Sequence, residues 1–140
     1  MLSSPYPVPP DPALTLFGAG RWAATIAAGV WVLVHPPQSY AGLDAGLTIL
    51  WGVLLVIGPF LGLVAYLARR YRLEMAALWP TLAGIALYTA LSWESALTDS
   101  PGAGPRACLI LTLLLVMAER LRVLQIIDRR VRALDRIGVG

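Results

Sequence analysis

Few side chains in this sequence could do chemistry. It has one histidine, His35, and one cysteine, Cys108, which are too few for a metal site with several His or Cys ligands or for an internal disulfide bond. The GxSxG, P-loop, HExxH and paired-cysteine motifs are absent from the sequence. We therefore predict that the protein is not an enzyme and has no catalytic residues, no metal site and no cofactor.

Several charged side chains lie at the ends of long apolar segments rather than within them: Asp44, Glu74, Glu94, Arg106 and Glu119. The middles of these segments offer only hydroxyl groups, which can hydrogen-bond back to their own helices; they are Thr25, Thr48, Thr81, Tyr88, Thr89 and Thr112. A proton-coupled transporter or pump normally has a charge near the membrane midplane. The pattern therefore argues against that class of protein.

The elements that must position these groups are membrane-spanning helices. The 140 residues are 58% hydrophobic and 14% charged, with a mean hydropathy of +0.71, so the chain is more apolar than soluble domains are. Residues 45–68 carry no ionisable side chain, and as a helix they would reach about 36 Å, enough to cross the hydrocarbon core. We predict an all-α integral membrane protein with four transmembrane helices, over residues 17–34, 45–68, 75–93 and 103–118.

The distribution of arginine predicts the orientation of these spans. All 11 basic residues are arginine. Three of them lie between the second and third spans and six in residues 119–140, whereas the two connections on the other side of the membrane together hold only one arginine. By the positive-inside rule this places both termini in the cytoplasm and makes the chain a multi-pass protein of the inner (cytoplasmic) membrane. Four aromatic residues near the predicted boundaries are typical of an interfacial belt: Trp22, Tyr40, Tyr71 and Trp93.

Residues 1–16 are predicted to form a Pro-rich N-terminal arm. Five of the first twelve residues are proline and none is basic, so we do not expect a cleavable signal peptide. Such a composition favours polyproline-like extension or disorder.

Small residues spaced four apart predict close helix packing within the membrane. This spacing lets helix backbones approach one another where lipid removes the usual hydrophobic driving force. Two explanations stay open, namely self-association of several copies as a homo-oligomer and packing within one chain. The residues concerned are Gly58 and Gly62, Gly42 and Gly46, and Ala19, Ala23 and Ala27.

Residues 119–140 are predicted to form a cytoplasmic, basic amphipathic helical tail. Leu124, Ile127, Val131 and Leu134 make one apolar seam. The tail could lie on the anionic inner leaflet, form a short oligomerisation zipper, or continue span four as a solvated helix. A membrane surface or a cytoplasmic protein, rather than nucleic acid, is the expected partner of its arginines: Arg120, Arg122, Arg129, Arg130, Arg132 and Arg136.

The order of several segments resembles a known group of proteins. HPPQSY follows span one, WGVLLVIG lies in span two, RRYRLEMAALWP leads into a span that ends LYTALSW, and an Arg-rich tail follows. Over residues 17–132 this order is similar to small four-helix membrane proteins of phages and prophages in GC-rich actinobacteria, often described as holin-like. The resemblance implies accumulation in the inner membrane, self-association, and a timed lesion that lets a cell-wall hydrolase act.

Two other functions are compatible with the same sequence. One is a non-lytic membrane scaffold or accessory subunit that docks a cytoplasmic partner through the Arg-rich tail. The other is superinfection exclusion or membrane-stress sensing by a phage-encoded protein. Expression of the chain alone separates them, because only a lytic protein should collapse the membrane potential.

Overall fold

A computed structural model describes residues 11–35, 45–98, 102 and 104–137 of the chain. Within these ranges the regular structure is four long α-helices, which confirms the all-helical prediction. They are α1 (Pro12–Val34), α2 (Ala45–Leu67), α3 (Tyr71–Thr98) and α4 (Gly104–Ile137). Of the predicted N-terminal arm, only residues 11–16 lie within the described part.

Three of the four helices are long and apolar enough to cross a membrane: Pro12–Val34, Gly46–Leu67 and Tyr71–Thr98. They cover the first three predicted spans, and they indicate a membrane protein. The fourth helix does not have this character, because an apolar first half is followed by a charged second half.

Helix α1 begins five residues before the predicted span because the chain provides a strong start signal. The Asp11 carboxylate accepts hydrogen bonds from the backbone N–H groups of Ala13 (2.8 Å) and Leu14 (3.2 Å). Pro12 occupies the first helical position, where its missing N–H leaves no hydrogen bond unmade. Residues 12–16 therefore belong to the helix rather than to the Pro-rich arm.

A tight turn joins α2 to α3. The Arg70 N–H donates to the Ala65 carbonyl (2.8 Å) and the Arg69 N–H to the Tyr66 carbonyl (3.1 Å), the pattern that closes a helix in a Schellman motif. Arg69 takes the left-handed conformation that this motif requires, with φ of 55°. The turn sets α2 and α3 side by side and brings three arginines, Arg69, Arg70 and Arg72, to one end of the bundle.

Consecutive helices pack in pairs, α1 on α2, α2 on α3 and α3 on α4. Glycines of α2 face the neighbouring helices at the first two contacts. A Cβ atom on Gly62 would lie 2.5 Å from the ring of Trp22, and one on Gly58 would lie 2.8 Å from the backbone nitrogen of Thr81. Of the two explanations for the Gly58 and Gly62 spacing, packing within one chain therefore describes this structure.

The other small-residue positions have different surroundings. Ala23 and Ala27 lie exposed on the outer face of α1, and Ala19 is half-buried. Gly46 is also exposed, and Gly42 lies outside the described residues. The outer faces of the bundle are rich in large apolar side chains, as expected of surfaces in contact with lipid, among them Phe17, Trp31, Ile57, Phe60, Val64, Trp79, Leu109 and Leu115.

The aromatic-belt prediction was wrong for two of its four residues. Trp22 and Tyr71 are buried inside the chain, Trp22 because Gly62 makes room for its ring. Trp93 is half-buried, and Tyr40 lies outside the described residues.

Candidate functional site

A buried ion-pair cluster joins three helices at the end of the bundle that carries the α2–α3 turn. Glu74, in the first turn of α3, is fully buried. Arg120 of α4 binds its carboxylate in a bidentate manner, with Nε 3.0 Å from Oε1 and Nη2 3.1 Å from Oε2. Arg21 of α1 places Nη2 3.7 Å from the same Oε1. We call Arg21, Glu74 and Arg120 the Glu74 cluster.

Helix α2 contributes an aromatic ring to the same region. The Arg120 guanidinium lies 5.9 Å from the ring centroid of Tyr66, within the range of a cation–π contact. The Tyr66 hydroxyl donates a 2.7 Å hydrogen bond to the Leu14 carbonyl of α1. The Glu74 cluster and Tyr66 thus connect all four helices at one level of the bundle.

A second cluster fixes the charged half of α4 to the start of α3. The buried Asp128 carboxylate accepts a 3.0 Å hydrogen bond from Arg72 Nε and a 3.4 Å bond from the Tyr71 hydroxyl. It is also paired with Arg132, four residues further along α4, a spacing at which opposite charges meet on a helix. We call Tyr71, Arg72, Asp128 and Arg132 the Asp128 cluster.

These partners stabilise the ionised form of Asp128. The hydrogen bond from Arg132 is the largest cause, and with the further bond from Arg72 it outweighs desolvation and holds the pKa of Asp128 below its ordinary value. The carboxylate is therefore charged at neutral pH and pairs with cations on two helices.

Helix α4 is one unbroken helix of 34 residues, about 51 Å long at 1.5 Å per residue. Residues 119–137, predicted as a tail, continue the apolar first half instead of folding away from it. Leu121 and Leu124 are buried, so one face of this segment is used inside the chain. Of the three arrangements considered for the tail, a continuation of α4 is the one seen here.

The rest of this segment's surface carries exposed arginines. Arg122, Arg129 and Arg136 are exposed and follow one another at intervals of seven residues, so they lie on nearly the same line along the helix. We call these three the Arg stripe. Arg130 and Arg132 are exposed on either side of it. Arg120, predicted to be part of the basic surface, belongs instead to the Glu74 cluster.

A groove of about 520 Å³ lies between α3 and the second half of α4. One wall carries Met75 and Trp79 of α3, and the other wall belongs to α4. The α4 wall combines one amide, one carboxylate and one alanine with three arginines: Gln125, Asp128, Ala133, Arg129, Arg132 and Arg136. We call it the α3–α4 groove.

Four of the six hydroxyl groups expected to bond back to their own helices do so. Thr25, Thr81, Thr89 and Thr112 donate hydrogen bonds of 2.8–2.9 Å to carbonyl groups four residues earlier. Among the described residues, no group of three or more His, Cys, Asp or Glu side chains is placed to hold a metal ion.

The sequence indicated some members of the two clusters but not their pairing. Glu74 was placed at a span end and Arg120 and Arg132 on a basic surface, while their partners on other helices were not predicted. Opposite charges at the ends of different predicted spans are a usable signal, since charges near lipid are normally paired. Which charges pair depends on how the helices pack.

Comparison with known protein families, with curated proteins and with solved structures gave no match. The class of protein is therefore defined by the fold and the site alone. In its described residues the chain is all-helical, with four helices, three of them long and apolar enough to cross a membrane, and with a basic surface at one end.

Proposed function

We propose that this protein is a non-enzymatic, multi-pass scaffold of the inner membrane that presents a basic helix at the cytoplasmic face. In this proposal α1, α2, α3 and the first half of α4 span the bilayer, and both termini lie in the cytoplasm. The Arg stripe then binds acidic groups there, on a partner protein or on the anionic leaflet.

The observation that supports this proposal is how α4 is held. Its second half is attached to α3 by the Glu74 and Asp128 clusters, while the Arg stripe stays exposed. A helix held in this way keeps its charges in a fixed arrangement. It therefore loses less conformational entropy on binding than a disordered basic tail would lose. Arg69 and Arg70 of the α2–α3 turn add positive charge at the same end.

Reporter fusions at residue 97 and at the carboxyl terminus test the topology. We expect the first to be periplasmic or extracellular and the second cytoplasmic, and a signal from the same compartment for both would overturn the four-span arrangement. Binding is tested with the full chain in nanodiscs of zwitterionic phosphatidylcholine, using a labelled poly-glutamate peptide as the acidic probe and a poly-glutamine peptide as the neutral one.

The decisive variants for binding remove equal charge from different places. The variant Arg122→Gln/Arg129→Gln/Arg136→Gln removes the Arg stripe, whereas Arg69→Gln/Arg70→Gln/Arg130→Gln removes three arginines outside it. We expect poly-glutamate binding that weakens with added salt and is lost in the first variant only. Equal loss in both would show that net charge, rather than the Arg stripe, attracts the probe.

A second function, holin-like permeabilisation during phage lysis, is favoured by one observation. Ala23 and Ala27 form an exposed small-residue face on α1, which would allow close approach of a second copy within lipid. Gly58 and Gly62 are already in contact with other helices of the chain, so α1 is the better candidate for self-association.

Expression of the chain alone, with a dye that reports membrane potential, tests this second function. If the protein permeabilises the membrane, the membrane potential collapses when the wild-type chain is expressed. Cells that express Ala23→Leu/Ala27→Leu at the same level should keep their membrane potential. Ile57→Leu/Val64→Leu, which changes exposed apolar residues of α2, serves as the control and should still depolarise the cell. Harmless accumulation of the wild-type protein would exclude permeabilisation and favour the scaffold.

A further inference from the structure

We propose that the α3–α4 groove is a binding site for one anionic phospholipid of the cytoplasmic leaflet, with the phosphate held by Arg129, Arg132 and Arg136 and the acyl region against Trp79 and Met75. This inference rests on the proposed function, because it requires α3 to span the membrane and the end of α4 to lie at the cytoplasmic surface.

The charge of the groove favours an anion. Among the described residues that line it, Asp128 is the only acidic one, and that carboxylate is already paired with Arg72 and Arg132. Arg129 and Arg136 make no ion pair or hydrogen bond with any side chain in the described part of the chain. Guanidinium groups bind phosphate oxygens through paired, charge-assisted hydrogen bonds. The N–H groups of these two arginines can therefore donate to a bound phosphate.

The apolar wall favours a lipid over a soluble acidic molecule. The Trp79 side chain is 61% exposed, and it lies on a helix that is apolar enough to cross the membrane. It comes eight residues after Tyr71, about 12 Å further along α3, and the neighbouring Met75 is half-buried. Tryptophan rings are enriched at the headgroup level of membranes. A ligand that contacts both walls must therefore be charged at one end and apolar at the other.

The size of the groove fits such a ligand. A volume of about 520 Å³ lies within the range of roughly 300–1,000 Å³ that is usual for small-molecule sites. This space suits a headgroup and the adjoining part of the acyl chains, with the remainder of the chains in the bilayer. The anionic lipids of the cytoplasmic leaflet provide the required charge.

Native mass spectrometry of the full chain in detergent tests the site, with phosphatidylglycerol and phosphatidylcholine of identical acyl chains as probes. We expect retention of phosphatidylglycerol in preference to phosphatidylcholine. The variant Arg129→Gln/Arg136→Gln should weaken phosphatidylglycerol binding by roughly 30-fold, from the contribution of each arginine near an anionic surface. Arg132 is left in place because it also holds Asp128.

The matched control is Arg122→Gln/Arg130→Gln, which removes two exposed arginines of the same helix that do not line the groove. This control variant should keep most of the phosphatidylglycerol binding. Trp79→Ala should also weaken phosphatidylglycerol binding, and soluble glycerol 3-phosphate at the same concentration should not displace the lipid.

The outcomes separate this inference from the proposed function. Equal loss in the two arginine variants would overturn the groove as a site and leave the basic surface intact. Displacement by glycerol 3-phosphate would overturn the lipid and indicate a site for free phosphate compounds. An absence of any preference for phosphatidylglycerol in the wild-type protein would overturn the groove and also count against binding of anionic lipid by the basic surface.

Discussion

Breaking the Glu74 cluster should destabilise the protein strongly, and the two central residues should act together. Glu74 is fully buried and accepts both hydrogen bonds of the Arg120 guanidinium, at 3.0 and 3.1 Å. Removing one partner of a buried ion pair leaves an uncompensated charge and typically costs about 3–5 kcal/mol. Substitution of Glu74 by glutamine keeps the size of the side chain and removes its charge, whereas glutamine at position 120 is shorter than arginine and also loses the contact with the Tyr66 ring.

The surroundings of each residue predict which single variant is worse. In Arg120→Gln the buried carboxylate keeps only Arg21, whose nearest nitrogen is 3.7 Å away, so we expect the upper end of that range. In Glu74→Gln two cations remain, but the side chains of Arg21 and Arg120 are 23% and 22% exposed and can still reach polar surroundings. We therefore expect a loss nearer about 3 kcal/mol.

The double variant Glu74→Gln/Arg120→Gln should be less destabilised than the sum of the two single variants. The interaction energy should exceed about 1.5 kcal/mol, the lower limit measured for close charge pairs in double-mutant cycles. The free energy of unfolding is measured by denaturant titration in detergent micelles, with helix content followed by circular dichroism. Arg106→Gln, an exposed position of α4, is the control and should change it by less than about 0.5 kcal/mol.

Additive effects of the two substitutions, within about 0.5 kcal/mol, would refute this reasoning. They would mean that Glu74 and Arg120 do not interact in the protein, and that α3 and α4 are held together by their apolar contacts instead. The placement of the charged half of α4 against α3 would then lack its main support.

Three further measurements test other contacts. Arg21→Met should cost less stability than Arg120→Gln in the same titration, because Arg21 Nε is buried without a hydrogen bond and its Glu74 contact is longer. Gly58→Ala should destabilise the protein by about 1–3 kcal/mol through overpacking. The control Gly20→Ala should be neutral or stabilising, because nothing lies within 4 Å of the new Cβ. Equal effects of the two substitutions would contradict the packing of α2. Because the pKa of Asp128 is lowered in the folded protein from 3.8, its stabilising contribution is present above that pH and is lost below it. The difference in unfolding free energy between wild type and Asp128→Asn should therefore shrink on acidification from pH 6 to pH 3, and a constant difference would count against the Asp128 cluster.

The sequence alone determined the helices and their apolar character. The absence of charge in residues 45–68 and the length of the other apolar segments were sufficient, because a helix that crosses lipid must satisfy its backbone internally and needs about 20 apolar residues. Helix ends were predicted less well. The start of α1 at Pro12 depends on the Asp11 cap, a local signal that the hydropathy pattern does not contain.

Only the tertiary structure decided which surfaces are used inside the chain. The Gly58 and Gly62 spacing is the same whether the partner helix belongs to this chain or to another copy, and packing against Thr81 and Trp22 distinguishes the two. Likewise, the arginines of residues 119–137 are alike in sequence, but Arg120 is bound to Glu74 while Arg122 and Arg129 are exposed. The physical reason is that a charge pair or a close backbone contact depends on the distance between helices, which the order of residues along one helix does not specify.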